Sequence, residues 1–170
     1  KEVQKILMNQ LGYSYKKILS IDEIPVGSAS LAQVHKAVLD NNKNVIFKVQ
    51  RPDIEKFFRL DLDVMNQVAR VVKKNKSLSQ GKDWIGIAKE CKRVLLRELD
   101  FRIEAQYAAR FKQQFLDDSE ILIPSVFWDL SSSKVLCLEY MPGIKINDIK
   151  TLKNNGIDTS SIAKIGATSY

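Results

Sequence analysis

The sequence predicts an α+β fold in which a five-stranded antiparallel sheet is flanked by helices. Three observations carry this. Short β-branched and apolar runs alternate with turn residues over residues 18–50 and return over 125–140. Between these two regions, apolar residues recur every three or four positions, the period of amphipathic helices. With 170 residues and a 45% hydrophobic composition, the chain is long and apolar enough to build one core.

The elements follow in order. Val3, Ile6, Leu7 and Leu11 lie at helical spacing, and Gly12 stands where a glycine ends a helix, so residues 2–11 form a short helix. Ile18–Ile24 reads as a first strand, Ala32–Leu39 as a second and Val45–Gln50 as a third. Asp40-Asn41-Asn42-Lys43-Asn44 supplies the turn between the last two, because Asn and Asp tolerate left-handed backbone. Pro52 opens an amphipathic helix carrying Ile54, Phe57, Phe58, Leu62, Met65, Val68 and Val72 and ending near Asn75. After the polar stretch Ser77–Lys82, Asp83 caps a long helix over residues 83–115. Ser125–Leu130 and Val135–Tyr140 complete the sheet around the turn Ser131-Ser132-Ser133. Met141-Pro142-Gly143 breaks the pattern, a short helix starts at Asn147 or Asp148 and stops at Asn155-Gly156, and Thr159 caps a last one. The expected organisation is a lobe over residues 1–140, a hinge over 141–146 and the start of a second, helical lobe over 147–170.

Composition narrows the function. The net charge of +7 favours anionic partners, but the lysines are spread along the chain with few aromatics among them, which argues against nucleic acid. The densest cluster, Lys73-Lys74-Asn75-Lys76, ends a helix, where cations suit the macrodipole. Cys91, Cys137 and His35 have no metal-ligand spacing, and two cysteines fit a reducing compartment. No apolar run reaches the ~20 residues of a membrane-spanning helix. Lys1-Glu2-Val3-Gln4 resembles no signal or transit peptide, and the chain reads as a piece of a longer protein.

Two segments carry the chemistry. Pro25 to Ala37 contains the small-residue run Gly27-Ser28-Ala29-Ser30, and Val45-Ile46-Phe47-Lys48 follows one strand later. This order, strand, small-residue loop, strand, turn and strand ending in lysine, is the one by which a kinase covers a nucleotide. Small residues let backbone N–H groups approach phosphate oxygens, and the lysine reaches the α- and β-phosphates. Alternation puts Ile46 and Lys48 on one face of their strand, where the ammonium requires an anionic partner unless it reaches solvent. Acidic candidates lie on the long helix: Glu98, Asp100 and Glu104. At about 100° per residue Asp100 and Glu104 share a face while Glu98 points about 120° away, so a straight helix cannot converge all three and the alternatives are separate partners or a bend. His35 shares a face with Gln33 and reads as a structural histidine.

At these residues the sequence resembles the UbiB/AarF/ADCK family of atypical kinases. Ser30, Gln33, Val34, His35 and Ala37 match its Ser-x-x-Gln-Val-His-x-Ala strand, and Val45, Lys48, Val49, Gln50 and Pro52 its Val-x-x-Lys-Val-Gln-x-Pro strand. Glu98-Leu99-Asp100 matches its Glu-x-Asp element. The resemblance implies a kinase amino-terminal lobe with the start of a carboxy-terminal lobe, an ion pair between Lys48 and Glu104, and regulatory roles for Glu98 and Asp100. It implies nucleotide contacts from Gly27, Ser28, Ala29, Ser30, Val34 and Ile46, with adenine against the lobe-joining segment Glu139, Tyr140 and Met141. The implied cofactor is ATP or ADP with Mg2+, whose ligands are expected outside this chain. The expected setting is isoprenoid-quinone or lipid metabolism at a mitochondrial, plastid or bacterial membrane, with a lipid or quinone precursor and a lipid-synthesis complex as partners. Two departures stand out: glycine and serine occupy a loop that is alanine-rich in many members, and the sequence holds no Lys-x-Gly-Gln element, no catalytic Asp/Asn loop and no Asp-Phe-Gly. A non-catalytic, nucleotide-responsive scaffold and a protein Ser/Thr kinase are the alternative readings.

Overall fold

A computed structural model describes residues 2–169, with the side chain of Lys76 outside the description. Helix α1 (Glu2–Leu11) ends at Gly12, whose φ of +52° is left-handed and suits glycine, and a 3-10 turn (Gly12–Lys17) leads into the sheet. The strands are β1 (Ile18–Ile21), β2 (Gly27–Ser28), β3 (Ala32–Leu39), β4 (Asn44–Gln50) and β5 (Val135–Glu139), all paired antiparallel. The order is β1-β3-β4-β5, and β2 runs in line with β1 along the same edge of β3.

The fourth of the five strands expected from the sequence is absent. Ser125–Leu130 does not form a strand: Val126 makes a single bridge to Leu138, and the chain then turns through a 3-10 segment, Trp128–Leu130. Ser131 Oγ bonds the Phe127 carbonyl at 2.8 Å and accepts from Cys137 N–H at 3.0 Å, which closes this segment into a turn against β5. The sheet still has five strands because of β2, at the opposite edge against β3, two residues long and too short to show a period. The expected first strand is likewise shortened, ending at Ile21; Asp22 N–H still donates to Lys36 O at 2.9 Å and its carbonyl contacts His35 Nδ1 at 2.9 Å before the chain bends at residues 23–24.

Alternation along β4 divides the molecule into two sides. Val45, Phe47 and Val49 are buried with Leu7, Leu11, Ala37, Leu39, Leu130, Val135 and Cys137 in the larger core, under α1. The opposite face carries Ile46, Lys48 and Gln50, opposite Leu138, Leu136 and the start of β5, and a smaller core of Ala32, Phe101, Ala105 and Leu136 forms there. His35 lies buried on the first side, opposite Phe47, and its Nε2 has no hydrogen-bond partner among the described residues.

Helices α2 (Ile54–Lys74) and α4 (Trp84–Glu98) pack on each other as a hairpin, joined by the one-turn helix α3 (Lys76–Ser79). The polar linker expected at Ser77–Lys82 thus contains helix, capped by Asn75 Oδ1 accepting from Ser77 and Leu78 N–H, and it reverses through left-handed Gln80 and Gly81. Asp83 caps α4 as expected, accepting from Gly86 N–H at 3.1 Å.

The single long helix expected over 83–115 is two helices. α4 stops at Glu98, and α5 (Phe101–Gln114) restarts with Asp100 as its cap, accepting from Arg102 N–H at 3.1 Å. No glycine or proline causes the break. Gln50 Nε2, on a residue only 4% exposed, donates to the Leu99 carbonyl at 2.9 Å, and Phe101 N–H donates to Ser133 O at 2.9 Å. Sheet-side partners therefore replace the helical bonds lost at the break. Beyond β5, α6 (Ile149–Asn154) is capped by Asp148, and α7 (Thr159–Thr168) by Asp158 rather than by Thr159.

Replacing Gln50 with alanine leaves a buried carbonyl unpaired, which lowers stability by about 1–3 kcal/mol in chemical denaturation. Burial pushes the Cys137 thiol far up. It therefore resists thiol reagents in the native protein and reacts only on unfolding, which a reagent titration with and without denaturant reads directly.

Candidate functional site

The site is built on the Lys48 face of the sheet. Lys48 pairs across the ladder with Val34 on one side and Leu136 on the other, and Ile46 pairs with Lys36 and Leu138. Val34, Ile46 and Leu138 form a half-buried apolar floor along this face, and Lys48 stands between it and the buried cluster of Ala32, Phe101, Ala105 and Leu136. From α5, Glu104 reaches the ammonium with both oxygens: Nζ lies 2.8 Å from Oε1 and 2.6 Å from Oε2. Phe101, one turn earlier and buried, places its ring centroid 4.9 Å from the same Nζ. The side chains of Lys48 and Glu104 retain 29% and 45% exposure, so their attraction is moderated by water and the pair stays open to a ligand.

The helix break settles how the three acidic candidates are arranged. Because α4 ends at Glu98 and α5 begins at Phe101, Glu98, Asp100 and Glu104 all line one cavity of about 480 Å³ together with Lys48. Arg97 donates to the Tyr107 hydroxyl and lies 5.7 Å from that ring, tying α4 to α5 beside the cavity. Asp100 is held by Arg102, whose Nη2 donates at 2.6 Å, and this guanidinium keeps the Asp100 carboxyl below the usual range.

The small-residue loop lies along the outer edge of β3 at the level of Lys48, since Gly27 pairs with Val34 and Val34 with Lys48. Gly27 is a strand residue opposite Val34 with ordinary backbone, and a Cβ there meets Val34 only at 3.8 Å, so the position does not require glycine. Ala29 N–H donates to Ala32 O at 2.8 Å, while Arg51 Nη2 donates to Ser28 Oγ at 2.7 Å and Arg51 Nε to Ala29 O at 3.1 Å. At the far end, Tyr140 N–H donates to Asn44 O at 3.1 Å, and Lys36 Nζ lies 4.3 Å from the Tyr140 ring centroid. The Glu139 carboxylate leaves from the opposite face, where it accepts from Ser125 Oγ at 2.7 Å and Ser125 N–H at 3.1 Å. Those two bonds, the hydroxyl first, and the charges of Lys112 and Lys43 hold its pKa down. Glu139 thus offers the site side only its backbone, and its N–H is taken by Ser125 O at 2.9 Å. Met141 is 37% exposed just beyond.

Sequence reasoning left out Gln50, Arg51, Phe101, Leu136 and Leu138. Gln50 lies inside the quoted Val-Gln-x-Pro run and Arg51 is its variable position, so the signal was adjacent but assigned no role. The ring of Phe101 announces itself only through packing.

A five-stranded antiparallel sheet, a strand lysine and a helix glutamate joined across it define the amino-terminal lobe of a kinase-like fold. The sequence matches the ABC1 atypical kinase-like domain over residues 1–170, and the chain belongs to that family. It is 42% identical over 149 residues to the chloroplastic protein ACTIVITY OF BC1 COMPLEX KINASE 7 of Arabidopsis thaliana, covering 88% of this chain and 21% of the relative. It is 37% identical over 150 residues to the probable protein kinase UbiB of Vibrio vulnificus, covering 88% of this chain and 28% of the relative. The structure of Rv3197 from Mycobacterium tuberculosis, solved with erythromycin, superposes with a TM-score of 0.75 at 32% identity, covering 87% of this chain and 37% of that one. The chain therefore spans under a third of the length of these curated relatives.

The Asp100 carboxylate, depressed by Arg102, contributes stability that is present above the ordinary aspartate range and is lost as pH falls through its lowered value. In an NMR titration Asp100 protonates at lower pH than an exposed aspartate, and Arg102→Ala moves it back up.

Proposed function

We propose that this chain is the nucleotide-binding part of a UbiB-type atypical kinase or ATPase that acts in isoprenoid-quinone or lipid metabolism at a membrane. One observation carries the nucleotide reading. A lysine held by both oxygens of a helix glutamate stands at the edge of an apolar floor, level across the sheet with the start of a small-residue loop. That floor suits a flat base, the loop suits phosphates, and the lysine is fixed where both meet. Glu104 holds the ammonium in place through two of its three N–H bonds, so Lys48 offers the third to a phosphate oxygen without reorganising. Bound nucleotide supplies the transferable phosphoryl group, with Mg2+ on ligands that the resemblance assigns beyond this segment. The membrane and quinone setting rests on the family resemblance and on chloroplastic and bacterial relatives. No helix among the described residues is long and apolar enough to cross a membrane.

In the full-length protein, Lys48→Met weakens ATP and ADP binding by about tenfold or more, the loss of a charge-assisted bond to phosphate. Glu104→Gln has a smaller effect of the same sign. Calorimetry measures both, and unchanged affinity in Lys48→Met rules the assignment out. Phosphate release above the Lys48→Met background supports turnover, whereas nucleotide binding without it supports the scaffold reading.

A further inference from the structure

The small-residue loop is tied to the chain that follows β4, and two of its neighbouring amides are left without a partner among the described residues. Three carbonyls in and beside it are occupied: the Ala29 carbonyl by Arg51 Nε at 3.1 Å, the Leu31 carbonyl by Arg51 N–H at 2.8 Å and the Ala32 carbonyl, at the start of β3, by Ala29 N–H at 2.8 Å. Two of its donors are free: among the described residues no group accepts from the N–H of Ser30 or Leu31. Two neighbouring free amides are receptive to an anion, and the bonds on the Ala29 and Leu31 carbonyls keep those two oxygens, which would repel a phosphate, engaged elsewhere. Two of the three occupied carbonyls are held by one residue, Arg51, which also donates from Nη2 to Ser28 Oγ at 2.7 Å.

We propose that Arg51 is a positioning residue that clamps the nucleotide loop, leaving the Ser30 and Leu31 amides as its phosphate donors. This rests on the nucleotide reading of the site. Arg51 itself touches no nucleotide in this assignment; it acts through the loop. A planar guanidinium reaches the Ala29 carbonyl and the Ser28 hydroxyl from two nitrogens of one rigid fork, a geometry an ammonium cannot reproduce. The backbone bond from Arg51 to Leu31 survives any side-chain change, so side-chain substitution loosens the loop without detaching it from β4.

The test uses the full-length protein with a fluorescent N-methylanthraniloyl-ADP probe, together with hydrogen exchange of the nucleotide-free loop. Arg51→Met raises the Kd and the KM for ATP about tenfold with kcat nearly unchanged, and it speeds exchange over residues 27–32. Arg51→Lys recovers only part of the affinity, and Ser28→Ala gives a milder shift that adds nothing in the Arg51→Met background. Wild-type affinity and exchange in Arg51→Met, with binding lost in Lys48→Met, overturn the clamp while the nucleotide reading stands. A matching fall in kcat and melting temperature also overturns it, as the mark of a general structural role. A wild-type protein that binds no probe overturns the nucleotide reading itself, and the clamp with it.

Discussion

Strand β4 has to bury an apolar row on one side of the sheet and present a cation on the other, and the period-two geometry of a strand is what makes both possible. Val45, Phe47 and Val49 fill the core beneath α1 while Ile46, Lys48 and Gln50 look the other way. Three consecutive functions follow from that second set and its continuation. Lys48 meets Glu104, Gln50 bonds the carbonyl where α4 stops, and Arg51 bonds the loop that follows β2. A slip of one residue in the β4 register would drive the ammonium into the larger core and disconnect the helix break and the loop together.

The helix break shows how a polar residue in a core directs architecture. An amide hidden from water needs a partner, and the Leu99 carbonyl released at the end of α4 needs one too. Their bond fixes the corner between α4 and α5, and the corner brings Glu98 onto the same cavity as Asp100 and Glu104. Lys48 thereby sits among carboxylates and beside an aromatic ring in a chain that is strongly basic overall. Local charge balance at this face is set by chain direction at two residues, Leu99 and Asp100, more than by composition.

Much of this was legible in the sequence because it depends on period and turn chemistry. Ala32–Leu39 has the bounds expected, the Asn42 turn is left-handed as its residue type allows, and the lysine face follows from alternation alone. What could not be read depends on distant partners. The continuous apolar period across Leu95 and Leu99 hides a break caused by Gln50, about fifty residues away, although Asp100 as a potential cap was visible in principle. Ser125–Leu130 is strand-like in composition but is captured by the Ser131 hydroxyl into a turn, while β2 is recognisable only by its pairing with β3. For the site, the Lys48 and Glu104 pairing came from resemblance, and the geometry of the Glu98 and Asp100 corner came only with the fold.

The Gln50 to Leu99 bond also has a topological meaning. It joins the residue just before the α2–α4 hairpin to the residue just after it, so residues 51–99 depart from the sheet and return to it at nearly one point. An excursion whose ends already touch imposes little on the scaffold it leaves, because closing the gap asks only for a short turn. The hairpin is therefore a module in the evolutionary sense: its length and surface are free to diverge, provided that the two strands of chain at its neck keep their amide and their carbonyl.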